Sequence, residues 1–237
     1  MAKETNRNDD ISFKCQALLR FQEYFLEASA ATEGYNLKSI YHRQIFLFSV
    51  FNYKRARSLS FTISPVRPSI YDNYAALVEL HDAGRISDED FEKAGRDFDK
   101  KLNAAIAEYN ACQGPWPYLW ENIDAVVCGI LQRFGFVSCD FYDLKYLYEA
   151  DRIYEIRIKG KGTNDEEQVQ SIIDTIRNEY MDLLQLSEKL AVTIIDSNRG
   201  AYFNKIADCL TGMDVIWHEW GATAEEKEIA LSIVYVL

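Results

Sequence analysis

The sequence predicts a mainly α-helical fold, a packed long-helix bundle with a minor two-strand β element. An apolar rhythm of three and four residues runs from Val169 to Ile194 without a Pro or Gly, the period of one helix face. Ser or Thr stands three residues ahead of an acid at Ser87–Asp90, Thr163–Glu166 and Thr223–Glu226, the spacing of a capping box. Alternation of apolar and polar residues, the signature of a half-buried strand, marks two short stretches, Ser58–Ser64 and Tyr154–Lys159. Two isolated alternating segments invite pairing with each other.

From the N-terminus, Asp9 or Asp10 can cap a first helix that carries Ile11, Cys15, Leu18, Leu19, Phe25 and Leu26 and ends near Gly34. An apolar, nearly acid-free stretch from Leu37 to Tyr53 comes next. The alternation of Leu59, Phe61 and Ile63 predicts a strand that Pro65 and Pro68 stop, since neither has an N–H for a ladder. Residues 70–111 read as two helices joined at Gly84–Ser87, with Phe91, Gly95, Phe98, Leu102, Ala105 and Tyr109 on one face. Over Leu77–Phe91 this punctuation resembles the short helical-hairpin modules called SHOCT domains.

Gly114-Pro115-Trp116-Pro117 breaks the chain. The organisation expected is one domain over 1–237, or two tightly joined lobes meeting near 112–118. Leu119–Phe134 reads as an apolar helix, and Tyr154, Ile156 and Ile158 as a second strand. Residues 164–195 are expected to form one helix about 48 Å long at roughly 1.5 Å per residue. A further helix is expected over Gly200–Trp220, and a last one carrying Ile229, Ile233, Val236 and Leu237.

Composition narrows the function classes. The 237 residues carry a net charge of -11 with 48% hydrophobic residues, enough apolar surface for a core that folds without staples. Five cysteines with no C-x-x-C pair, and three histidines without paired spacing, give no disulfide framework and no zinc pattern. The polar first ten residues lack the apolar centre of a signal peptide, and the apolar runs are far shorter than the roughly 20 residues of a membrane span. A cytoplasmic protein without membrane contact is expected.

Charge is laid out unevenly. Residues 41–71 hold Arg43, Lys54, Arg55, Arg57 and Arg67 with no acid, whereas 72–120 hold ten acids against five bases. Two function classes are open. The leading one is a non-enzymatic protein-binding protein, a regulator, inhibitor or assembly component, whose acidic helical faces meet a basic partner. Its anchors would be Trp217, His218, Glu219 and Trp220, with the two tryptophans one helical turn apart, and Trp116 with Trp120. In one version the acidic surface imitates the phosphates of nucleic acid; a homo-oligomer is also open.

The alternative is a nucleic-acid-binding protein using Lys54, Arg55, Arg57 and Arg67 beside Phe51, Tyr53 and Phe61. Its enzymatic variant is a metal-dependent nuclease, because Asp140 followed by Glu155-Ile156-Arg157 resembles the D…E-x-K arrangement of metal-holding carboxylates. No catalytic residue, metal ligand set or cofactor is otherwise indicated. Gly160-Lys161-Gly162-Thr163 could present amides to an anion at a helix start, but a plain turn is the better reading because the P-loop spacing is missing.

Overall fold

The structure, a computed structural model, describes residues 67–132, 139–196, 202–221 and 229–237, with the backbone alone at 196 and 219–221. The predicted helix ending at Gly34, the Leu37–Tyr53 stretch, the Ser58–Ser64 strand, the Thr223–Glu226 box and the cations Arg43, Lys54, Arg55 and Arg57 lie outside the described residues.

The helical hairpin forms where its caps place it. Ser69 opens α1 (Ile70–Asp82), its hydroxyl accepting from the Asp72 amide at 3.0 Å while the Asp72 carboxylate takes the Ser69 amide. Gly84, at φ +65°, closes α1: its amide donates to the His81 carbonyl and that of Arg85 to Leu80, so the helix's last carbonyls are satisfied. Ser87 then caps α2 (Asp88–Ala111), accepting from the Asp90 amide at 3.1 Å. Aromatic rings hold the two helices together, with Tyr74 stacked on Phe98 at 4.4 Å and His81 on Phe91 at 4.2 Å.

Beyond the hairpin the expected helix bundle does not form. The described residues build a five-stranded mixed sheet with helices on both faces, so the fold is mixed α/β rather than a bundle with a minor two-strand element. The strands are β1 (Tyr118–Trp120), β2 (Ile153–Lys159), β3 (Leu190–Asp196), β4 (Val215–Gly221) and β5 (Ala230–Val236), in spatial order β1-β2-β5-β3-β4. All neighbours are antiparallel except β3 and β4. β2, whose alternation invited pairing with residues 58–64, has β1 and β5 as its neighbours.

Three expected helices are therefore corrected. α3 (Ile123–Leu131) forms inside the expected Leu119–Phe134 helix, whose first residues Leu119 and Trp120 belong instead to β1, but the 164–195 span divides: α4 (Asp165–Thr175) runs through a π-helical turn, Ile176–Tyr180, into a single turn α5 (Met181–Leu184), then stops. Its cap is Asn164, not Thr163: the Asn164 side chain accepts from the Glu167 amide at 2.9 Å. The chain leaves α5 without Gly or Pro, and Ser187 holds the exit by donating to the Lys189 carbonyl and accepting from the Val236 amide of β5. The expected helix over Gly200–Trp220 is a short α6 (Phe203–Cys209) followed by β4, and the expected last helix is β5.

The cause is visible in the packing. In β3, Leu190, Val192 and Ile194 face α4 and α6, but Ala191 and Thr193 are buried too. A strand covered on both faces is apolar nearly throughout, so its sequence has no period-two signal and every third or fourth position is apolar as well. On one face, Ile156, Val192, Ile194 and Ile233 pack with Val169 and Ile172 of α4, Ile176 of the π-helical turn and Ile206 of α6. On the other, Tyr109 of α2 and Trp120 of β1 reach β2 and β5.

Gly129 of α3 lies against the Tyr109 ring in that second layer. A Cβ there would collide with the Tyr109 ring. Gly129→Ala is expected to lower unfolding stability by about 2 kcal/mol or more, as overpacking of a filled core does. Urea titration checks it; a change within about 0.5 kcal/mol would show that Tyr109 can move aside.

Candidate functional site

The most buried charge among the described residues is Glu155 in β2, with 0% exposure. Five donors converge on its carboxylate. Oε1 accepts from the Tyr109 hydroxyl (2.8 Å), the Ser232 hydroxyl (2.7 Å) and Arg157 Nε (2.7 Å); Oε2 accepts from the Trp120 indole N–H (2.8 Å) and Arg157 Nη2 (3.0 Å). These side chains come from α2, β1, β2 and β5. Arg157 is two residues from Glu155, so the strand's alternation puts both on one face.

Arg157 also finishes α2. Its Nη1 donates to the Cys112 carbonyl at 3.0 Å and its Nη2 to that of Tyr109 at 3.1 Å, beside a helix end that favours a cation. Its guanidinium lies 4.3 Å from the Tyr109 ring and 4.8 Å from that of Trp116. Trp116 and Trp120, expected as binding anchors, thus meet the same ion pair: Trp120 is buried and bonded to it, and Trp116 is half-buried over it.

In this geometry Glu155 is committed within the fold. Its oxygens are taken by five donors, so it does not offer a metal the free lone pairs that the D…E-x-K scheme needs. Asp140 instead forms a local pair of turns with Asp143, each amide donating to the other's carboxylate at 2.9 and 3.1 Å. Burial, and then the Asp143 charge, push the Asp140 carboxyl above its ordinary value. Among the described residues no group of three His, Cys, Asp or Glu could hold a metal ion.

The turn before α4 is likewise committed. The Gly160 amide donates to the Ile229 carbonyl, the Lys161 amide to Ser171 Oγ and the Thr163 amide to Glu167 Oε2. Glu167 occupies the place an anion would take.

The residues 217–220 lie on β4, not on a helix. The one-turn spacing that would have put both tryptophans on a helical face does not exist on a strand. Trp217 is half-buried, its ring 5.1 Å from Phe203 of α6. His218 is buried, with Nδ1 3.8 Å from the Cys139 thiol. The side chains of Glu219 and Trp220 lie outside the described residues, as do Lys54, Arg55 and Arg57; Arg67 is exposed just ahead of α1.

Sequence reasoning missed Tyr109, Ser232 and Lys145 as polar members of the interior. Lys145, 3% exposed, has its ammonium 3.0 Å from the Asp72 carboxylate. One signal was present for the Glu155 site: an acid and a base two apart on a strand, with isoleucine between and beyond them. The helical rhythm put Tyr109 on the inner face of its helix, but nothing local marks it or Ser232 as a partner of Glu155, since they arrive from 46 and 77 residues away.

No model of a known protein family matches the chain, and no curated protein matches it either.

Arg157→Met is expected to cost about 3 kcal/mol of stability, because it leaves the buried Glu155 charge without its counter-ion; Arg157→Met/Glu155→Leu is expected to recover part of that loss. Guanidinium unfolding of the single and double variants measures the coupling, and additive losses would mean that the ion pair is not a unit. Burial, then Asp143 and Asp140, push the Cys139 thiol up to about 12, so little thiolate exists at pH 8.5. Mass mapping after brief iodoacetamide treatment at about that pH is expected to find the half-exposed Cys112 modified and Cys128 and Cys139 unmodified until denaturant is added.

Proposed function

We propose that this protein works by binding another protein, presenting acidic helical faces to a basic partner surface, as a regulator, inhibitor or assembly component. The observation that carries the reading is where its charges go. Glu155, Arg157 and Lys145 are consumed internally, whereas Glu79, Asp82, Asp88, Glu89, Asp90, Glu92 and Asp97 of α1 and α2 are all exposed. Segment 72–120 carries five more acids than bases. Such a face raises association rates with a basic partner and repels acidic ones.

Aromatic flanks supply the apolar part of the contact. Trp217 and Trp116 each keep part of their surface open, and Trp217 lies on β4, which among the described residues pairs with β3 alone. Imitation of nucleic acid is one form this binding can take. Phosphate binding by Lys54, Arg55, Arg57 and Arg67 is the competing proposal, with Arg67 as its exposed, described member.

Affinity capture from native lysate at two salt concentrations tests the reading. Glu79→Lys/Glu92→Lys reverses two exposed charges and is expected to reduce partner recovery at least tenfold at low salt, with an unchanged thermal midpoint; Trp217→Ala should weaken it further. Equal recovery by the charge-reversed protein would defeat the acidic-face reading. Salt-labile nucleic acid as the sole captured species would shift the assignment to the basic segment.

A further inference from the structure

Among the described residues the hairpin carries a gap between its two helices. A groove of about 170 Å³ lies between α1 and α2. Ile70, Tyr74 and Leu77 line it from α1, and Ala94, Phe98 and Lys101 from α2. Each set has a four-then-three spacing, so each helix offers one continuous stripe. Tyr74 and Phe98 are buried and stacked on each other, while Ile70, Leu77 and Ala94 keep surface open to the groove.

Two helices with matched stripes and a gap between them form the seat for a third. The gap's size is informative: a cavity of roughly 150 Å³ accommodates a benzene ring, so this one admits a single leucine or phenylalanine side chain. Ala94 has the smallest side chain of the lining. Charge selects the visitor. Asp97 and Lys101, one acid and one base, both line the groove, and the surplus charge comes from the surrounding segment, which holds ten acids against five bases.

We infer that this groove docks an amphipathic helix of the basic partner, with one large apolar side chain entering beside Ala94 and cationic residues facing Asp97 and the acidic hairpin. The inference rests on the protein-binding reading and specifies the partner's form.

The test uses the full chain and a synthetic helical peptide with Leu at i, i+3, i+4 and i+7 and Lys elsewhere, against a scrambled peptide of the same composition. Calorimetry is expected to show saturable binding of the patterned peptide and at least tenfold weaker binding of the scramble. Ala94→Phe, which fills the groove, should weaken the patterned peptide at least tenfold. Should Ala94→Phe not fold, Leu77→Lys at the open rim gives the same readout by repelling the peptide.

Equal binding of both peptides, or undiminished binding by the groove variants, overturns the inference. So does a wild-type dimer in sedimentation that Ala94→Phe converts to monomer, since the groove would then seat a second copy. The natural partner separates the two readings: if it is captured normally by the groove variant but lost on charge reversal, the groove falls and the protein-binding reading stands.

Discussion

A carboxylate with no solvent exposure sits between the sheet and the α2 layer, and the arrangement of that layer depends on it. Leaving Glu155 charged and alone would cost several kcal/mol. The fold answers by delivering donors from four elements to two oxygen atoms. Tyr109 fixes the last turn of α2, Trp120 fixes the edge strand β1, and Ser232 ties in β5. Because hydrogen bonds to a buried charge are both short and directional, they set the position of α2 more narrowly than apolar contact alone would.

The same constraint explains the close packing around it. Tyr109 can reach Glu155 only if α3 lets its ring pass, and Gly129 provides the room. Arg157 neutralises the carboxylate and, with its remaining donors, satisfies carbonyls at the α2 terminus. Burial is the largest single influence on the Arg157 pKa and lowers it; the Glu155 hydrogen bond, together with charge interactions from Tyr109, Glu155 and Cys112, outweighs it and holds the guanidinium raised. The Glu155 cluster is thus a structural joint whose hydrogen-bonding groups hold the layers together.

Local signals in the sequence were legible where local physics decides. The hairpin, with its Ser87 cap and Gly84 turn, and strand β2 come from caps, a positive-φ glycine and alternation. The central sheet was not legible, because β3 and β5 are buried on both faces and carry no period to distinguish strand from helix. Their identity comes from partners far along the chain: Leu190 pairs with Val215 on one side and Tyr235 on the other. The π turn let a genuine helix persist to Leu184, so the apolar rhythm ran just far enough to suggest continuation. The same misreading put Trp217 and Trp220 on one helical face, whereas they lie on strand β4, where residues three apart point to opposite sides.

The outer hairpin stands apart because its charges have few internal duties. His81 meets Asp88 and Arg96 meets Glu92, but these are exposed contacts, of a kind that contributes little to stability. A surface of surplus acids destabilises a compact chain by self-repulsion while keeping it soluble, and it steers association with basic surfaces. The groove adds the complementary cost: half-buried Ile70 and Leu77 keep apolar area in water that a third helix would remove. Charge alone would attract many cations, and an apolar gap alone many greasy side chains. Their presence on one hairpin is what the proposed basic amphipathic helix would satisfy, apolar side chain and cations together.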